Sequence, residues 1–566
     1  MCKTQQLLAL FALITIASVT HSQCDSLRYK SQVFDTITPH LDVKYGEAPV
    51  WSFPYENTDL YMDIYLPEND YISNRPLMLW VHPGGFLSGD KTAEDMVALC
   101  DSFARQGYVT ATIGYRLGFN PLSAESAERA VYRGTQDMRA AIRYLKENAS
   151  TYGIDTNYTF IGGSSAGGFA ALHTAYLDQD EAPSSIGGQW SSPDLGCLDC
   201  EGNTYSHGIN LKGYTNLWGA IGDSLWINSN ETVPGLLVHG TDDGTVPYGV
   251  GHPFGVFTTP ITHGSRSISN QLNNLSIAHE KYIIPGEGHE PHGVDNGTWN
   301  NPPTPYWDTI FDKINAHYFS IIKPEIVPII GQEEVCTNDT LTFKSSINTD
   351  FELCWEIDNG NIVNSAGDSV QVVFTSTGQA NLSVRAFSEI KAPSDRIEKS
   401  IVVYESPTID LIAEMDGMEV TFSPTATGFV NYLWNFGDGN SSSSFSPSHT
   451  YDSPGNYFIS LTVVDQNGCS ATKDSLMDFS TLSVFSDNIN SNVDLYPNPV
   501  ESEFKISSSH QMDKLIIYSV SGSQLMKTEI NDQNAKVNVE DFPSGIYMVT
   551  VFFNNQEAER LKIVKD

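Results

Sequence analysis

The sequence predicts a mostly parallel α/β domain over residues 23–323, followed by two β-sandwich domains and a small all-β domain at the C-terminal end. Two observations lead to this prediction. Up to Lys323, short apolar strands alternate with amphipathic helices, which is typical of a parallel sheet covered by helices. Beyond Pro324, short alternating segments recur between Gly, Asn and Ser turns without a helical period, as in β-sandwiches.

The α/β part begins with alternating segments between residues 52 and 67, which suit antiparallel edge strands. The continuous apolar run 76–81 then predicts a strand that is buried on both faces. The elements expected after it are helices over 92–106, 125–148 and 304–322, and strands over 108–113, 158–161, 211–220, 235–240 and 281–285. Residues 178–208 are rich in Ser, Gly, Pro and Asp, interrupt this order, and are expected to form a lid.

Composition limits the functions that the chain can have. Its 68 acidic and 31 basic residues give a net charge of −37, which argues against nucleic-acid binding because that requires a cationic face. Residues 1–22 combine a positive start, a short apolar run and small residues, and are predicted to be a cleaved signal peptide. That run is too short to span a bilayer and no later stretch reaches the necessary length, so no transmembrane segment is expected.

Seven of the eight cysteines follow the predicted cleavage site and would enter an oxidising compartment. Cys197 and Cys200 could form a redox pair, half of a metal site or a local disulfide. No thioredoxin-like pattern surrounds them and no second ligand pair follows, which favours the disulfide. Cys336 and Cys354 are expected to pair within one β domain, and the odd count leaves at least one thiol unpaired.

A G-S-S-A-G motif at residues 163–167 stands between a short strand pattern and an Ala-rich helix pattern. This is the strand–turn–helix setting of a nucleophile elbow, whose turn is so tight that side chains two positions either side of the serine would collide. Ser165 has Gly at both of those positions, whereas Ser164 has Gly162 before it and Ala166 after it. The spacing therefore selects Ser165 as the candidate nucleophile.

Candidate partners for such a serine follow two later strands. Asp243 lies in the loop after the strand 235–240, and His289 lies after the strand 281–285. Their order Ser, Asp, His is that of hydrolases built on a strand–turn–helix nucleophile. Residues 82–86, His-Pro-Gly-Gly-Phe, follow the strand 76–81 and suit an oxyanion hole, with the amides of Gly84, Gly85 and Ala166 as donors. Pro83 has no N–H to donate.

Together these motifs resemble the carboxylesterase/lipase branch of the α/β-hydrolases, over roughly residues 23–323. The resemblance implies the α/β-hydrolase fold, with Ser165 as nucleophile, His289 as base and acid, and Asp243 as the orienting carboxylate. Loops of this family read H-G-x-x-D-x-x-V-P, and counting from His239 places that aspartate at 243, with Asp242 as its neighbour. It implies no cofactor and no metal ion in the chemistry.

Two further resemblances lie downstream. The run Tyr-Leu-Trp-Asn-Phe-Gly-Asp-Gly at 432–439 is similar to a PKD domain, an Ig-like sandwich, here expected over 406–479, with Trp434 and Phe436 in its core. Residues 324–405 look like a weaker relative of it. Residues 488–566, with Leu-Tyr-Pro-Asn-Pro at 495–499, resemble the C-terminal sorting domain of type IX secretion. This implies a partner in that secretion machinery and a secreted or surface-attached protein of a Gram-negative bacterium.

These observations predict a secreted serine esterase acting on an extracellular ester, such as an acylated polysaccharide, a phenolic ester, a polyester or a small ester. A serine peptidase of the same fold is the alternative within enzymes, although such peptidases usually carry their extra β domain before the hydrolase domain. An adhesin with an inactive hydrolase domain is the alternative from another class, and a complete set of catalytic motifs argues against it. The sandwich domains are expected to be spacers or attachment modules.

Overall fold

The structure is a computed structural model that describes residues 24, 26–188, 192–230, 232–299, 302–325, 328–345, 351–479, 493–553 and 556–566. The signal peptide predicted over residues 1–22 lies outside the described residues. The chain divides into two compact units, Met1–Thr408 with Val464–Ala471, and Ile409–Val463 with Thr472–Asp566.

A mostly parallel sheet is the centre of the first unit. The strands of this α/β domain are β1 (Ile37–Pro49), β2 (Asn57–Pro67), β3 (Arg75–Val81), β4 (Val109–Ile113), β5 (Ile154–Ser164), β6 (Leu211–Leu217), β7 (Ala220–Ile221), β8 (Gly235–Gly240), β9 (Val250–Gly251), β10 (Thr262–Gly264), β11 (His279–Ile284), β12 (Val294–Asp295) and β13 (Thr298–Trp299). Eight of them form one sheet in the order β1-β2-β4-β3-β5-β6-β8-β11. β2 pairs antiparallel with β1 and β4, and the other neighbours are parallel.

Helices cover both faces of this sheet. They are α1 (Glu94–Arg105), α2 (Ala124–Glu147), α3 (Ala149–Tyr152), α4 (Ala166–Tyr176), α5 (Ser265–Asn274) and α6 (Pro305–Ile322). One core cluster lies against α2, α4 and α5, and a second lies against α1 and α6. All seven residues of β3 are buried, as its continuous apolar run predicts. The predicted α/β-hydrolase-like architecture is therefore confirmed, and the parallel strands bring their C-terminal ends to one edge of the sheet.

Two of the β-rich domains form sandwiches, each built from two sheets. The first contains β14 (Glu334–Cys336), β15 (Thr340–Lys344), β16 (Glu352–Ile357), β17 (Asn361–Ala366), β18 (Ser369–Val373), β19 (Gly378–Phe387) and β20 (Ile397–Tyr404). The second contains β21 (Leu411–Asp416), β22 (Glu419–Pro424), β23 (Asn431–Asn435), β24 (Ser441–Ser442), β25 (Ser448–Thr450), β26 (Asn456–Val464) and β27 (Ser470–Asp478). Trp434 and Phe436 are buried in the second sandwich, as predicted.

The last domain is a single five-stranded sheet with its own apolar cluster. Its strands are β28 (Val493–Tyr496), β29 (Glu503–Ser519), β30 (Gln524–Asn538), β31 (Gly545–Phe553) and β32 (Gln556–Lys565). Among the helices of the described residues, none is both long and apolar enough to cross a membrane.

The first sandwich packs against the α/β domain, which the expectation of a spacer or attachment module did not include. Ile390 and Ala392, in the loop after β19, are fully buried and belong to the core cluster of α1 and α6. The hydroxyl of Tyr29 donates to the buried carbonyl of Ile390 at 3.0 Å. A disulfide between Cys24 and Cys354 also joins the start of the α/β domain to β16. The first sandwich is therefore part of the packed body of the first unit.

The disulfides correct one prediction. Cys336 and Cys354 do not pair with each other, because Cys336 bonds Cys469 and Cys354 bonds Cys24. The strands that carry them, β14 and β16, are separated by β20 and β19 in the sheet. Three interstrand spacings amount to roughly 14 Å, and a disulfide requires Cα atoms within about 7 Å. The predicted Cys197–Cys200 disulfide is confirmed, and Cys100 is a buried free thiol.

Candidate active site

The turn between β5 and α4 has the geometry of a nucleophile elbow. Ser165 stands at its tip with φ 53° and ψ −114°, a left-handed conformation that side chains rarely adopt. A Cβ atom on Gly163 would lie 2.3 Å from the backbone of Gly167, and one on Gly167 would lie 2.0 Å from the carbonyl oxygen of Val81. Glycine is therefore required on both sides of Ser165, for the steric reason that selected this serine from the sequence.

The structure brings Ser165, His289 and Asp243 into one continuous chain of contacts. The Oγ of Ser165 lies 2.9 Å from Nε2 of His289, and Nδ1 of His289 lies 2.7 Å from Oδ2 of Asp243. Because an ionised carboxylate only accepts hydrogen bonds, the Nδ1–H donates to Asp243. In the neutral imidazole this leaves the lone pair of Nε2 to accept from the Ser165 hydroxyl. The arrangement can remove a proton from the serine and stabilise the imidazolium that results.

Asp243 is held ionised by more than His289. Burial alone would raise the pKa of its carboxyl, but hydrogen bonds from His239 and His289 outweigh burial and keep that pKa well below its ordinary range. The second oxygen, Oδ1, accepts from the backbone N–H groups of Thr245 and Val246, both at 2.8 Å. The carboxylate is thus fixed in one orientation and stays charged at neutral pH.

His239 also belongs to the site, although in the sequence it served only as the first residue of the motif that locates Asp243. Its Nε2 lies 3.2 Å from Oδ2 of Asp243 and 3.1 Å from the carbonyl of Val246. Both neighbours only accept, so this nitrogen carries the proton, and Nδ1 accepts from the Ser265 hydroxyl at 2.9 Å. The available signal was a histidine at the end of β8, four residues before the carboxylate.

Three residues that lie close in sequence to Ser165, Asp243 and His289 make other contacts. Ser164 is fully buried, and its Oγ accepts from the indole N–H of Trp218 at 2.9 Å. Asp242 is exposed and accepts from the Thr241 hydroxyl. His292 is buried, with Nε2 at 3.4 Å from Oδ2 of Asp95 and with three tryptophan rings around it. None of these three side chains takes part in the Ser165–His289–Asp243 contacts.

The loop after β3 carries the predicted oxyanion donors. Gly84 has φ 123°, and a Cβ there would lie 1.9 Å from the carbonyl oxygen of Ser88, so the loop requires glycine. The backbone N–H groups of Gly84 and Gly85 donate to no other described residue. Ala166 is the first residue of α4, where a backbone N–H has no partner within the helix. All three N–H groups are therefore free to donate to a bound oxygen.

Buried polar contacts hold this loop in place. His82 is fully buried, and its Nδ1–H donates to the carbonyl of Pro83 at 2.6 Å. Burial lowers the pKa of His82 to about 4, so the ring is neutral and stacks on Tyr115 with centroids 4.3 Å apart. The hydroxyl of Tyr115 donates to the carbonyl of His82 at 3.2 Å.

The predicted lid, residues 178–208, is tied to one face of α2 by a row of polar side chains. Arg129 donates to the carbonyls of Ser185, at 2.7 Å, and Ile186, at 3.0 Å. Gln136 donates to the carbonyls of Leu195 and Cys197, and Arg139 and Arg143 pair with Asp199. Lys146 donates to the carbonyls of Gly208 and Ile209. These five side chains of α2 are named here the clamp. Their spacing keeps all of them on one side of the helix.

A small apolar cavity of about 130 Å³ opens between this segment, α2 and α4. Its walls include Phe169, one helical turn after Ser165, together with Pro183, Trp226 and Ile261. The 178–208 segment therefore contributes a wall of this cavity. Among the described residues, no group of three or more His, Cys, Asp or Glu side chains could hold a metal ion.

Three family models match the chain, and they confirm the predicted resemblances to an esterase-like α/β-hydrolase, a PKD domain and a C-terminal sorting domain. The resemblance of residues 324–405 to a PKD domain stays a prediction. Residues 62–206 match the BD-FAE domain, residues 405–478 match the PKD domain, and residues 494–566 match the secretion system C-terminal sorting domain. The first match includes Ser165 and the loop 82–86, which carries the proposed oxyanion donors and is called the oxyanion loop below. It ends before Asp243 and His289.

Individual proteins with similar sequences are esterases. The chain is 38% identical over 118 residues to carboxylesterase 3B of Mus musculus, which is 20% of each chain. It is 32% identical over 134 residues to para-nitrobenzyl esterase of Bacillus subtilis (strain 168), which covers 23% of this chain and 26% of that one. The chain thus spans about a fifth to a quarter of the length of these relatives.

Solved structures of esterases also align with the chain. Thermogutta terrifontis esterase 2 phosphorylated by paraoxon aligns at 17% identity and a TM-score of 0.33, over 50% of this chain and 92% of that one. A truncated carbohydrate esterase from gut microbiota aligns at 18% identity and a TM-score of 0.32, over 51% of this chain and 99% of that one.

Proposed function

We propose that the chain is a secreted serine hydrolase of carboxylic esters, with Ser165 as nucleophile, His289 as general base and acid, and Asp243 as the residue that orients His289. The observation that supports this most directly is the unbroken contact chain from Ser165 Oγ through His289 to Asp243 Oδ2. Each of the three residues lies just beyond the C-terminal end of a parallel strand, so one rigid sheet edge fixes their separation.

In the proposed reaction, the Oγ of Ser165 attacks the ester carbonyl carbon while its proton passes to Nε2 of His289. The carbonyl oxygen becomes negative and accepts hydrogen bonds from the backbone of Gly84, Gly85 and Ala166. Collapse of this intermediate expels the alcohol, which takes the proton from His289. Water then attacks the acyl-enzyme by the same route, which releases the acid and restores Ser165.

The C-terminal sorting domain supports export of this esterase to the cell surface or the medium. We infer that residues 494–566 engage type IX secretion machinery and that the ester is met outside the cell. A fusion of a reporter to residues 488–566 tests this in a host that carries the machinery. We expect the reporter outside the outer membrane, and its retention in the periplasm would contradict the assignment.

The nucleophile is tested on the purified full-length chain with p-nitrophenyl acetate. We expect Ser165→Ala to lower kcat by ~10⁴-fold or more, since the serine and its base act as a unit. Ser164→Ala is the matched control, because Ser164 accepts from Trp218 and makes no contact with His289. A fluorophosphonate should label Ser165 alone. Labelling at Ser164, or faster turnover of an aminoacyl anilide than of the ester, would contradict the proposal.

The assignment of Asp243 as the orienting carboxylate is tested by Asp243→Asn, with Asp242→Asn as the control. An asparagine at 243 can present its amide N–H to the imidazole, which favours the wrong tautomer, so we expect kcat to fall by ~10³- to 10⁴-fold. The exposed side chain of Asp242 contacts Thr241, so its change should leave kcat within about twofold. Equal losses in the two variants would place the orienting carboxylate elsewhere.

A further inference from the structure

Exposed apolar side chains are grouped beside the oxyanion loop. Five of them, Leu87, Leu122, Phe254, Phe257 and Ile261, are named here the apolar collar. Phe257 is 88% exposed and Leu122 is 78% exposed, although side chains of these types are usually covered. A contiguous exposed apolar patch in a soluble protein usually marks a surface that meets another molecule.

Hydrogen bonds join the three segments that carry the collar. The N–H of Gly118 donates to the carbonyl of Phe86 at 2.7 Å, and the hydroxyl of Thr258 donates to the carbonyl of Pro121 at 2.9 Å. The N–H of Phe254 donates to the carbonyl of Thr245, in the loop that holds Asp243. The three segments that carry the collar are therefore joined to one another and to the loop that holds Asp243.

The collar also adjoins the position where the ester would react. A Cβ atom built on Gly85 would lie 3.6 Å from Cζ of Phe254, so this ring lies beside a proposed oxyanion donor. Ile261 is half-exposed at the collar and also lines the apolar cavity that contains Phe169. An apolar group that rests on the collar is thus adjacent to both the oxyanion loop and the cavity.

The absence of charged side chains around the collar limits the kinds of surface that it could bind. The collar segments, residues 82–89, 117–124 and 244–265, contain no Lys, Arg, Asp or Glu, whereas 17% of the whole chain is charged. An anionic surface would be repelled by a chain of net charge −37 and would find no cation in these segments. A hydrated polysaccharide would gain little from the aliphatic members of the collar, Leu87, Leu122 and Ile261, because its hydroxyl groups would lose water without a hydrogen-bonding partner there.

We propose that the apolar collar docks the enzyme on the uncharged, apolar surface of a water-insoluble ester, so that ester groups at that surface reach Ser165. This inference rests on the proposed function and deepens it, because it names the substrate class as a neutral, hydrophobic ester that is presented as a surface. Docking raises the effective concentration of ester groups at the site.

Emulsified tributyrin and dissolved p-nitrophenyl acetate separate docking from chemistry on the full-length chain. Phe257→Ser removes the most exposed collar ring, and we expect the rate on limiting tributyrin surface to fall about 10-fold, since a buried Phe contributes this much or more to association. Turnover of p-nitrophenyl acetate should stay within about twofold. Tyr71→Ser is the matched control, because Tyr71 is 99% exposed before β3, at the opposite end of that strand from the oxyanion loop, and should change neither rate.

Binding is measured apart from turnover by flotation of the Ser165→Ala protein with tributyrin droplets. We expect its partition to droplets to fall about 10-fold when Phe257→Ser is added. This arm distinguishes a failure of docking from a failure of the proposed function, because it needs no hydrolysis. Unchanged flotation, or equal losses on both substrates, would overturn the proposal. So would a wild-type dimer that Phe257→Ser converts to a monomer without any effect on tributyrin, since the collar would then bind a second copy of the chain.

Discussion

The elbow at residues 163–167 and the 178–208 segment lie at opposite ends of the same helix, α4, and their shapes have different origins. The elbow is shaped by contacts between backbone atoms, with no room for a Cβ on Gly163 or Gly167. In the described part of the 178–208 segment the helical elements are two short 3₁₀ turns, and side chains of α2, far away in the sequence, hold the segment. Crowding between neighbouring backbone atoms selects glycines in a short motif, so the sequence predicts the elbow. Hydrogen bonds from distant side chains to backbone carbonyls place no constraint on the residues that carry those carbonyls, so the sequence of the 178–208 segment does not predict its shape.

Among the changes that test this contrast, a substitution in the elbow has the largest expected effect. In Gly167→Ala the new methyl carbon would lie 2.0 Å from the carbonyl oxygen of Val81, a backbone atom of β3. Either the elbow or the strand that leads into the oxyanion loop must move, and a small misplacement of catalytic groups can cost ~10²-fold. We therefore expect kcat/KM on p-nitrophenyl acetate to fall by ~10²-fold or more.

Gly244→Ala is the matched control for that change. Gly244 follows Asp243 directly, yet a Cβ there would meet no atom within 4 Å. We expect kcat/KM within about threefold of the wild type. If Gly167→Ala were as active as Gly244→Ala, backbone crowding would not define the elbow, and the contrast with the 178–208 segment would fail.

The same contrast explains how far the sequence could predict this molecule. The order of strands and helices, the elbow and the placement of Asp243 and His289 beyond their strands follow from local patterns. The contact of His239 with Asp243 depends on a side-chain direction at the end of β8, which a motif does not encode. The disulfide partners of Cys336 and Cys354, and the burial of Ile390 in the α/β core, depend on how separate domains pack.

The clamp on the 178–208 segment should give the next largest effect. Arg129→Met leaves the carbonyls of Ser185 and Pro193 without a donor, whereas the carbonyl of Ile186 keeps the backbone N–H of Leu195. A buried polar group that loses its partner costs about 1–3 kcal/mol, so we expect a loss of about 2–4 kcal/mol in the free energy of unfolding of the first unit. Urea denaturation measures this loss, and limited proteolysis within residues 178–208 should become faster.

Arg105→Met is the control for the clamp. Arg105 is partly exposed and pairs with Asp101 one turn away on α1, and such surface pairs contribute about 0–1 kcal/mol. Proteolysis within residues 178–208 should be unchanged in this variant. Equal sensitivity of the two variants would mean that the segment is held by its own packing and not by the cation on α2.

The smallest effect expected concerns the last residue of the clamp, Lys146, and depends on pH. Burial lowers the pKa of Lys146 to about 8 from an ordinary value of 10.5. Between these values the unfolded chain holds a proton that the folded chain has lost, so the free energy of unfolding rises with pH across this window. The neutral amine still has two N–H groups for the carbonyls of Gly208 and Ile209, so the clamp survives the loss of the proton. Urea denaturation of wild type and Lys146→Met at pH 7.5 and pH 10 should therefore show a difference in the free energy of unfolding that grows in favour of the wild type.

Lys44→Met is the control of opposite sign, because hydrogen bonds to Asp59 and Glu47 raise the pKa of Lys44. Its stabilising contribution is complete below the ordinary pKa and is lost only at higher pH, so its difference should stay flat over this range. A flat difference for Lys146→Met as well would show that Lys146 keeps its proton in the folded protein and that the clamp holds the 178–208 segment with a full positive charge.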